Sequence, residues 1–314
     1  MQIADFRLFL EVADLGSFTK VAIQRQTAQS HISRQISQLE KHCGGVLFRR
    51  TGRGVELTEY GAYTAQKVRF WLNDTDSLIN ELRDNAGIPR GEVRLGIIPS
   101  AATPLMTEVY KQLQHNYPQV KLNVREGQGG ELDALLDTGA VDMAILFRYE
   151  KPNNTDEVLL STANTYLVSS PGLPLTLPAA VEFKRLKGLP LVLPRKPSYW
   201  RSILDETAKS KGITLSTAVE ADSLRLQKSL VTDNPHLYAL LGPFAFHDEL
   251  RAGQLQAAKV ITPELKRYVT LAHPKNGSLT KACRIVSDII TSTVASWNGQ
   301  LSNEKNTSKE IARS

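Results

Sequence analysis

Two short helical segments with a break between them, in residues 16–40, constrain the fold of this chain more than any other feature. The stretch reads GSFTKVAIQRQTAQSHISRQISQLE. Ser17 can cap the first helix, and Phe18, Val21 and Ala22 recur at helical spacing behind it. A preceding segment, IADFRLFLEVADLG, has its own apolar stripe and stops at Gly16. The amino-terminal region is therefore predicted to pack three short helices.

The third of these helices, predicted to begin between residues 27 and 29 and to end near 42, has two faces of opposite character. Ile32, Ile36 and Leu39 form an apolar stripe. The other face carries Gln, Ser and Arg, which can pair with base edges and phosphates in the major groove of DNA. This face predicts a helix-turn-helix, although plain solvent exposure is the alternative. The candidate DNA contacts are Gln29, Ser30, His31, Ser33, Arg34 and Gln35.

An arginine-rich hairpin is predicted directly after this helix. The segment GGVLFRRTGRGVELTEYG has two short strand patterns around a glycine-rich tip. Such a wing can lie along a phosphate backbone or reach a minor groove. Residues 25–54 carry six basic residues against one acidic residue, most of the net charge of +6, which suits a polyanion such as DNA. The candidate wing contacts are Arg50, Thr51 and Arg53.

Length and composition limit the remaining classes of protein. The chain has 314 residues, enough for two or three domains. No apolar run approaches the ~18 residues of a membrane span, and the amino terminus has no signal-peptide pattern. Cys43 and Cys283 form no CxxC or metal pattern. We therefore expect free thiols in a reducing cytoplasm and no association with a membrane.

A long amphipathic helix is predicted over residues 59–87. Its apolar seam has spacings of three and four residues, which is typical of coiled-coil packing. We expect this seam to pair with a second copy of the chain, and packing on its own chain is the alternative. Gly87 and Pro89 break the helix and mark a domain boundary. The seam consists of Val68, Trp71, Thr75, Leu78 and Leu82.

The rest of the sequence alternates strand and helix patterns. Strand-like segments EVRLGII, KLNVREG and MAILF are separated by helical ones, and LPLVLP, STAVEA and LYALLG repeat the pattern further on. Such alternation predicts a parallel sheet in an α/β domain. Two similar halves predict two subdomains, with a ligand in the cleft between them at the carboxyl ends of strands.

A collinear set of motifs covers about the first sixty residues: Phe9, Val12-Ala13, Gly16-Ser17-Phe18-Thr19, Gln29-Ser30, Ser33-Arg34-Gln35-Ile36, Leu39-Glu40, Leu47-Phe48, Thr51-Gly52-Arg53-Gly54-Val55 and Leu57-Thr58. This set resembles the LysR-type transcriptional regulators. The resemblance implies an all-α winged helix-turn-helix that binds DNA at residues 1–58 and a linker helix for dimerisation at 59–87.

Several positions depart from the family pattern. Arg25 and Thr27 stand where the family usually has apolar residues, and should weaken packing between the second and third helices. Thr27 is expected to take over the cap and to start the third helix slightly early, because Ala28 replaces the usual Ser or Thr. His31 is either a surface side chain or a DNA contact that strengthens when it is protonated.

Looser matches continue to about residue 272 and resemble the effector-binding domain of the family. They include Pro99-Ser100, Tyr117-Pro118, Glu126-Gly127 and Gly188-Leu189-Pro190. The implied α/β fold resembles type 2 periplasmic binding proteins and occupies residues 91–300, with subdomain I at 91–163 and 269–300 and subdomain II at 164–268. The polar residues 301–314 are expected to form a disordered tail.

The resemblance also implies positions for a bound effector. Residues 100–103 would lie at a helix N-terminus, which suits a carboxylate or another anion. Gly129 replaces a hydroxyl residue that the family often has, so backbone N–H groups would complete the clamp. Arg148 or Arg195 would pair with a carboxylate, and is otherwise an ordinary surface charge. The candidates are Ser100, Ala101, Thr103, Gly129, Gly130, Phe147, Arg148, Arg195 and Gly242.

Together these features predict a transcriptional regulator that binds promoter operators and senses a small, anionic metabolite. The expected partners are double-stranded DNA, the effector and a second or fourth copy of the chain, with RNA polymerase as a further candidate. A cytoplasmic solute-binding protein is the alternative, but it does not explain the wing. No enzyme, cofactor or metal is expected, because HExxH, GxSxG, P-loop and Cys/His patterns are missing from the sequence.

Overall fold

The computed structural model describes residues 2–52, 54–83, 89–152, 157–274 and 279–311. The amino-terminal unit contains three helices and a hairpin: α1 (Ile3–Leu15), α2 (Phe18–Gln24), α3 (Gln29–Cys43), β1 (Phe48–Thr51) and β2 (Gly54–Leu57). Ser17 caps α2 as predicted, because its Oγ accepts a hydrogen bond from the Lys20 N–H. Arg53, a predicted wing contact, lies outside the described residues.

The core of this unit is small and aromatic at its centre. The Phe48 ring meets the rings of Phe9 and Phe18 edge to face, at centroid distances of 5.4 and 5.8 Å. The predicted stripe of α3 is buried against them, since Ile32, Ile36 and Leu39 are all buried. The opposite face of α3 is consequently turned outward.

A single long helix, α4 (Glu59–Arg83), follows the hairpin. Its 25 residues span about 37 Å at 1.5 Å per residue. The Thr58 hydroxyl accepts a hydrogen bond from the Gly61 N–H at 2.9 Å and so caps the helix. A Cβ atom at Gly61 would lie 2.0 Å from the Leu47 carbonyl oxygen, so only glycine lets α4 begin this close to the hairpin.

The first of two larger sheets has the strand order β4-β3-β5-β13-β6. Its strands are β3 (Gly91–Ile97), β4 (Val120–Glu126), β5 (Met143–Arg148), β6 (Glu157–Asn164) and β13 (Lys266–Ala272). Three helices belong to this half: α5 (Pro99–Asn116), α6 (Gly129–Asp137) and α10 (Lys281–Ile311).

The second sheet has the order β10-β9-β11-β7-β12-β8. Its strands are β7 (Tyr166–Ser169), β8 (Ala180–Glu182), β9 (Pro190–Leu193), β10 (Ser216–Glu220), β11 (Tyr238–Leu241) and β12 (Gln256–Ile261). This half also contains α7 (Tyr199–Ser210), α8 (Leu224–Asp233), α9 (His247–Arg251) and 3₁₀ turns at Phe183–Leu186 and Pro243–Ala245.

Both sheets are mixed, so the predicted parallel pairing accounts for only part of each sheet. Strand β3 runs parallel to β4 and β5, but β13 is antiparallel to both β5 and β6. In the second sheet β7 is antiparallel to β11 and β12. The sequence prediction relied on strands that alternate with helices. In the structure β6 leads directly into β7, and β12 into β13, without a helix between them.

The chain crosses between the sheets twice, at adjacent places. It passes from β6 to β7 through Thr165, and it returns from β12 to β13 through residues 262–265. The two crossings are hydrogen-bonded: the Thr165 N–H donates to Leu265 O at 3.0 Å, and the Val260 N–H donates to Thr165 O at 2.9 Å. The two halves are thus joined by a pair of strands that lie side by side.

Residues 301–311 continue α10, where the sequence predicts a disordered tail. The described part of α10 contains no proline, so its polar composition does not interrupt the helix that the buried Val286, Ile290 and Val294 begin. Residues 312–314 lie outside the described residues.

Candidate functional site

The outward face of α3 carries the predicted DNA contacts. Gln29, Ser30, His31 and Arg34 are exposed, and Ser33 and Gln35 are half-buried. Arg34 has no carboxylate within salt-bridge distance in the described part of the chain. We call these six residues, together with Arg50 and Thr51 of the hairpin, the recognition surface.

The start of α3 differs from the prediction. The helix begins at Gln29, and its N-cap is Ala28, whose side chain cannot accept a hydrogen bond. Thr27 does not take over the cap; its N–H donates to Ala22 O at 2.9 Å within the turn. The tight turn instead depends on Gln26, which has a φ of 51°. The first N–H groups of α3 therefore lack a side-chain cap.

Arg25 is accommodated by an ion pair that the sequence analysis did not anticipate. Its Nε and Nη2 each lie 2.7 Å from an oxygen of Glu11 in α1. The hydrogen bond to Glu11 is the main reason that the pKa of Arg25 is raised above its ordinary value. This bidentate pair joins the turn after α2 to α1, and it does not bear on the weaker packing predicted between α2 and α3.

The hairpin is held in place from two sides. The Glu40 Oε1 atom accepts hydrogen bonds from the N–H groups of Leu47 and Phe48, at 2.8 and 3.3 Å, which connects α3 to β1. On the other side the Val55 N–H donates to Gly16 O at 2.9 Å. The next residue back, Gly54, has a φ of 148°, and a Cβ there would lie 2.3 Å from Gly16 O. The hairpin and α3 are thus fixed relative to each other.

The two described arginines of the hairpin have different surroundings. Arg49 pairs with Glu56 across the strands at 2.9 Å. Arg50 is exposed, is paired in register with Val55, and has no acidic partner in the described residues. Arg50 therefore offers the less compensated charge to a phosphate.

A cleft of about 1050 Å³ lies between the two halves of the α/β region. Among its lining residues are seven of the nine predicted effector positions: Ser100, Gly129, Gly130, Phe147, Arg148, Arg195 and Gly242. Ala101 packs instead against the buried core, because it is turned about 100° from Ser100 around α5. Thr103 faces a separate polar groove, lined also by Ser223 and Lys228. The structure therefore does not place Ala101 or Thr103 in the cleft.

The helix ends at the cleft offer few polar groups. Pro99 opens α5 and has no N–H, and the Ala101 N–H donates to Ile98 O at 3.1 Å. This leaves the N–H and hydroxyl of Ser100 as the polar groups that the first turn of α5 presents. At the start of α6, a Cβ on Gly129 or Gly130 would meet no atom within 4 Å, so the backbone there is open to a ligand.

Arg148 is already paired with two carboxylates. Its Nη1 and Nη2 lie 2.9 and 2.7 Å from the Asp133 oxygens, and its Nε lies 2.9 Å from Glu157 Oε1. Burial lowers the pKa of Arg148, but the hydrogen bonds to Asp133 and Glu157 outweigh it, and the pKa lies above its ordinary value. Arg148 thus positions α6 against β5 and is not free to bind a ligand carboxylate.

Arg195 is also paired, at the rim of the cleft. Its N–H and Nη2 lie 3.0 and 3.1 Å from the two Asp222 oxygens, and its side chain is 70% exposed. Neither arginine predicted for a ligand carboxylate therefore has an unpaired guanidinium.

The sequence predicts Phe147 in the cleft but not Arg267 or Trp200. Arg267 lies on β13, lines the cleft and is buried against Trp200 and Phe147. It was overlooked because β13 was not predicted. A signal was present: KRYVTLA reads as a strand, and a basic residue within a strand near the end of the matched region merits attention.

The predicted seam of α4 divides between two environments. Val68 is buried within its own chain, so it does not lie on an open seam, whereas Trp71 and Leu78 are 45% and 56% exposed. Thr75 is half-buried, and its hydroxyl donates to Trp71 O. The side chain of Leu82 lies outside the described residues. The helix is therefore partly packed on its own chain, as the alternative interpretation held.

The inner face of α4 contacts the α/β region. The Gln66 Nε2 atom donates to Asp137 O at 2.7 Å, at the end of α6. The Arg94 Nη2 atom donates to Asn73 Oδ1 at 3.0 Å while the same guanidinium pairs with Asp142. These hydrogen bonds connect the linker helix to the same half of the α/β region that carries α6.

The part of the chain that the structure describes contains neither a candidate membrane-spanning helix nor a candidate metal site. No helix there has the length and apolar character of a bilayer span. No cluster of three His, Cys, Asp or Glu side chains there is placed to hold a metal ion.

Comparison with known proteins agrees with this geometry in both parts of the chain. Residues 3–62 match the family of bacterial regulatory helix-turn-helix proteins of the lysR type, and residues 86–295 match the LysR substrate binding domain. The regulator BbuR of Bordetella bronchiseptica is 25% identical over 91% of this chain and 88% of its own length. The nitrogen assimilation regulatory protein nac of Klebsiella aerogenes is 25% identical over 94% of this chain and 96% of its own.

Solved structures show the same fold along nearly the whole chain. Full-length OxyR from Pseudomonas aeruginosa, in a variant form, superposes with a TM-score of 0.69 at 20% identity and covers 94% of both chains. CbnR, a LysR family transcriptional regulator, superposes with a TM-score of 0.61 at 18% identity and covers 94% of this chain and 99% of its own. With a family match across both the helix-turn-helix and the α/β region, this chain belongs to the LysR family of DNA-binding transcriptional regulators.

Proposed function

We propose that this regulator binds its operator as a dimer, with α3 of each protomer in a major groove and the β1–β2 hairpin on the flanking backbone. The observation that carries this proposal is the recognition surface: a polar, outward face on α3 beside Arg50, which has no acidic partner among the described residues. Because Glu40 fixes the hairpin to α3, both parts would meet DNA together. Two such units predict half-sites about 10 base pairs apart, or multiples of that.

Dimerisation through the outer face of α4 is the second part of the proposal. Trp71 and Leu78 are large, exposed and about two turns apart on the same side of the helix. An exposed apolar stripe on a long helix favours burial against a partner helix. Tetramers would form from two such dimers.

The third part concerns the cleft, which we propose binds a small, anionic metabolite. Support comes from Ser100 at the start of α5 and from the open backbone of Gly129 and Gly130 at the start of α6. Ligand binding would move α6, whose far end contacts α4 through Gln66, and so alter the spacing of the DNA-binding units. Changed DNA bending and contact with RNA polymerase would follow.

In this proposal the regulator acts in the cytoplasm, where its DNA is, and it acts by binding and not by catalysis. A solute-binding role without DNA is the less favoured alternative, since it would account for the cleft but not for the helix-turn-helix match at residues 3–62.

The experiment that tests the operator proposal selects bound sequences from a random DNA pool with the full-length protein at physiological salt. We expect an enriched, interrupted palindrome with half-sites about one helical turn apart. Enrichment of a single, asymmetric half-site would contradict dimeric binding. No enrichment, with binding that simply weakens with salt, would contradict sequence recognition by α3.

A further inference from the structure

The cleft contains a buried cation that no carboxylate of the described residues neutralises. The Arg267 residue is 7% exposed and lines the cleft. Its Nη2 atom donates to Leu240 O at 3.2 Å, and its Nε has no hydrogen-bond acceptor in the described part of the chain. Burial lowers the pKa of Arg267 to about 10, so the guanidinium still carries its charge at neutral pH.

The other basic residues that line the cleft are all paired. Arg148 pairs with Asp133 and Glu157, and Arg195 pairs with Asp222. Lys196 lies 2.7 Å from Asp205. Within the described residues, Arg267 is thus the cleft cation that has no carboxylate partner. A buried charge without such a partner costs free energy of folding.

Aromatic rings hold the Arg267 guanidinium in position. Its Cζ atom lies 3.8 Å from the centroid of the Trp200 ring and 5.3 Å from that of Phe147. Tyr149 stacks on Trp200 with ring centroids 5.5 Å apart and planes within 10°. These contacts orient the planar cation without neutralising it, and the half-buried Tyr149 gives the cleft an aromatic surface next to the charge.

Arg267 also lies where the two halves meet. It belongs to β13 of the first sheet, but it donates to Leu240 of the second sheet and rests on Trp200 of α7. An anion bound to this guanidinium would therefore contact groups from both halves and favour a closed cleft.

We propose that Arg267 is the anchor for the carboxylate of the cleft ligand, and that this ligand is a small organic acid whose flat body lies against Tyr149, the half-buried aromatic ring that lines the cleft beside Trp200. The inference rests on the proposed effector role of the cleft and replaces Arg148 and Arg195 as the carboxylate partner. A carboxylate at this guanidinium would supply the negative charge that the described residues do not provide there.

The test is a calorimetric titration of the full-length protein, at fixed ionic strength, with sodium benzoate and with benzamide, which has the same ring and no charge. Benzoate is expected to bind at least about 30-fold more tightly than benzamide, because a charged hydrogen-bonded pair is lost in the amide. Equal affinity for the two would overturn the proposal, as would no binding of benzoate, acetate or succinate at 10 mM. This comparison needs no variant, so it holds even where a substitution prevents folding.

Variants then locate the contact. Arg267→Gln should weaken benzoate binding at least about 30-fold, and Arg267→Lys about tenfold, since it keeps the charge and loses the fork. Arg185→Gln, at an exposed position of the same half that does not line the cleft, is the matched control and should change affinity less than about threefold. Unchanged affinity in Arg267→Gln would place the carboxylate elsewhere.

Sodium sulfate distinguishes an organic acid from an inorganic anion. Sulfate should bind more weakly than benzoate. Equally tight binding of sulfate, with the same dependence on Arg267, would contradict the proposal that the ligand is an organic acid. These titrations contain no DNA, so they can succeed when the operator selection fails, and the two proposals are tested separately.

Discussion

Arg34 and Arg50 are the basic side chains of the recognition surface, and each lacks an acidic partner in the described residues. We expect Arg34→Ala to weaken operator binding by about 1–3 kcal/mol, or roughly 5- to 150-fold, because α3 would lose a charged contact to a base or phosphate. Fluorescence anisotropy at physiological salt measures the change. Arg125→Ala, at an exposed position paired with Glu131 in the α/β region, should leave affinity unchanged. Wild-type affinity in Arg34→Ala would remove this residue from the interface.

Arg50→Ala tests the hairpin through salt dependence. Loss of one phosphate contact should reduce the slope of log affinity against log salt by about 1. Operator binding measured between 50 and 200 mM salt gives the slope. An unchanged slope would mean that the hairpin does not touch the backbone.

Gly54 tests whether the hairpin must be held at its present angle. Gly54→Ala forces a side chain onto a φ of 148° and against Gly16 O, so we expect the amino-terminal unit to be destabilised by about 1–3 kcal/mol. Thermal unfolding followed by circular dichroism measures the loss. At Gly52 a Cβ would meet nothing within 4 Å, so Gly52→Ala is the matched control. Equal melting temperatures for the two variants would show that the contact with Gly16 is dispensable.

At the scale of whole elements, α4 has two faces with different tasks. The inner face packs on its own chain through Val68 and Leu72, and the outer face exposes Leu78. Leu78→Glu should therefore weaken dimerisation without damaging a core, and sedimentation velocity over a concentration series would show more monomer. Leu177→Glu, at an exposed leucine of the α/β region, is the control. A wild-type dimer in Leu78→Glu would mean that subunits join elsewhere.

Elements with a strong periodic pattern could be predicted from the sequence, and those defined by distant pairing could not. The stripe of Ile32, Ile36 and Leu39 located α3, because a helix with one buried face has apolar residues at spacings of three and four. Strands β6 and β13 were missed, since their antiparallel pairing joins residues about a hundred positions apart. Sequence order carries no local signal for such a contact.

The same reason explains the errors in the cleft. Arg148 looked available because its partner Glu157 lies on a strand that the sequence did not reveal. Arg267 looked ordinary because its neighbours Trp200 and Phe147 come from two different halves of the fold. Charge at a site depends on which groups meet in space, and residue type alone does not supply that information.

At the scale of the molecule, α6 is a physical link between the cleft and the linker helix. Its nine residues span about 13 Å, from Gly129 at the cleft to Asp137 beside Gln66. We expect Gln66→Ala with Asn73→Ala to leave benzoate affinity and operator affinity nearly unchanged, while shrinking the effect of each on the other.

Operator binding with and without saturating benzoate measures that coupling, which is typically about 1–3 kcal/mol in proteins with two linked sites. Gln112→Ala, whose side chain bonds to Thr293 away from α4, is the control. Undiminished coupling in the double variant would show that the signal reaches DNA by another route.

The paired crossings at Thr165 and Leu265 restrict how the cleft can move. Two connections that are hydrogen-bonded side by side resist relative sliding and twisting of the halves. Hinge rotation about one axis is then the motion that costs least energy. A bound ligand can then change only the angle between the two halves. The regulator would respond to the size of what it holds as well as to its charge, with bulkier acids propping the cleft wider and acting as antagonists of smaller ones.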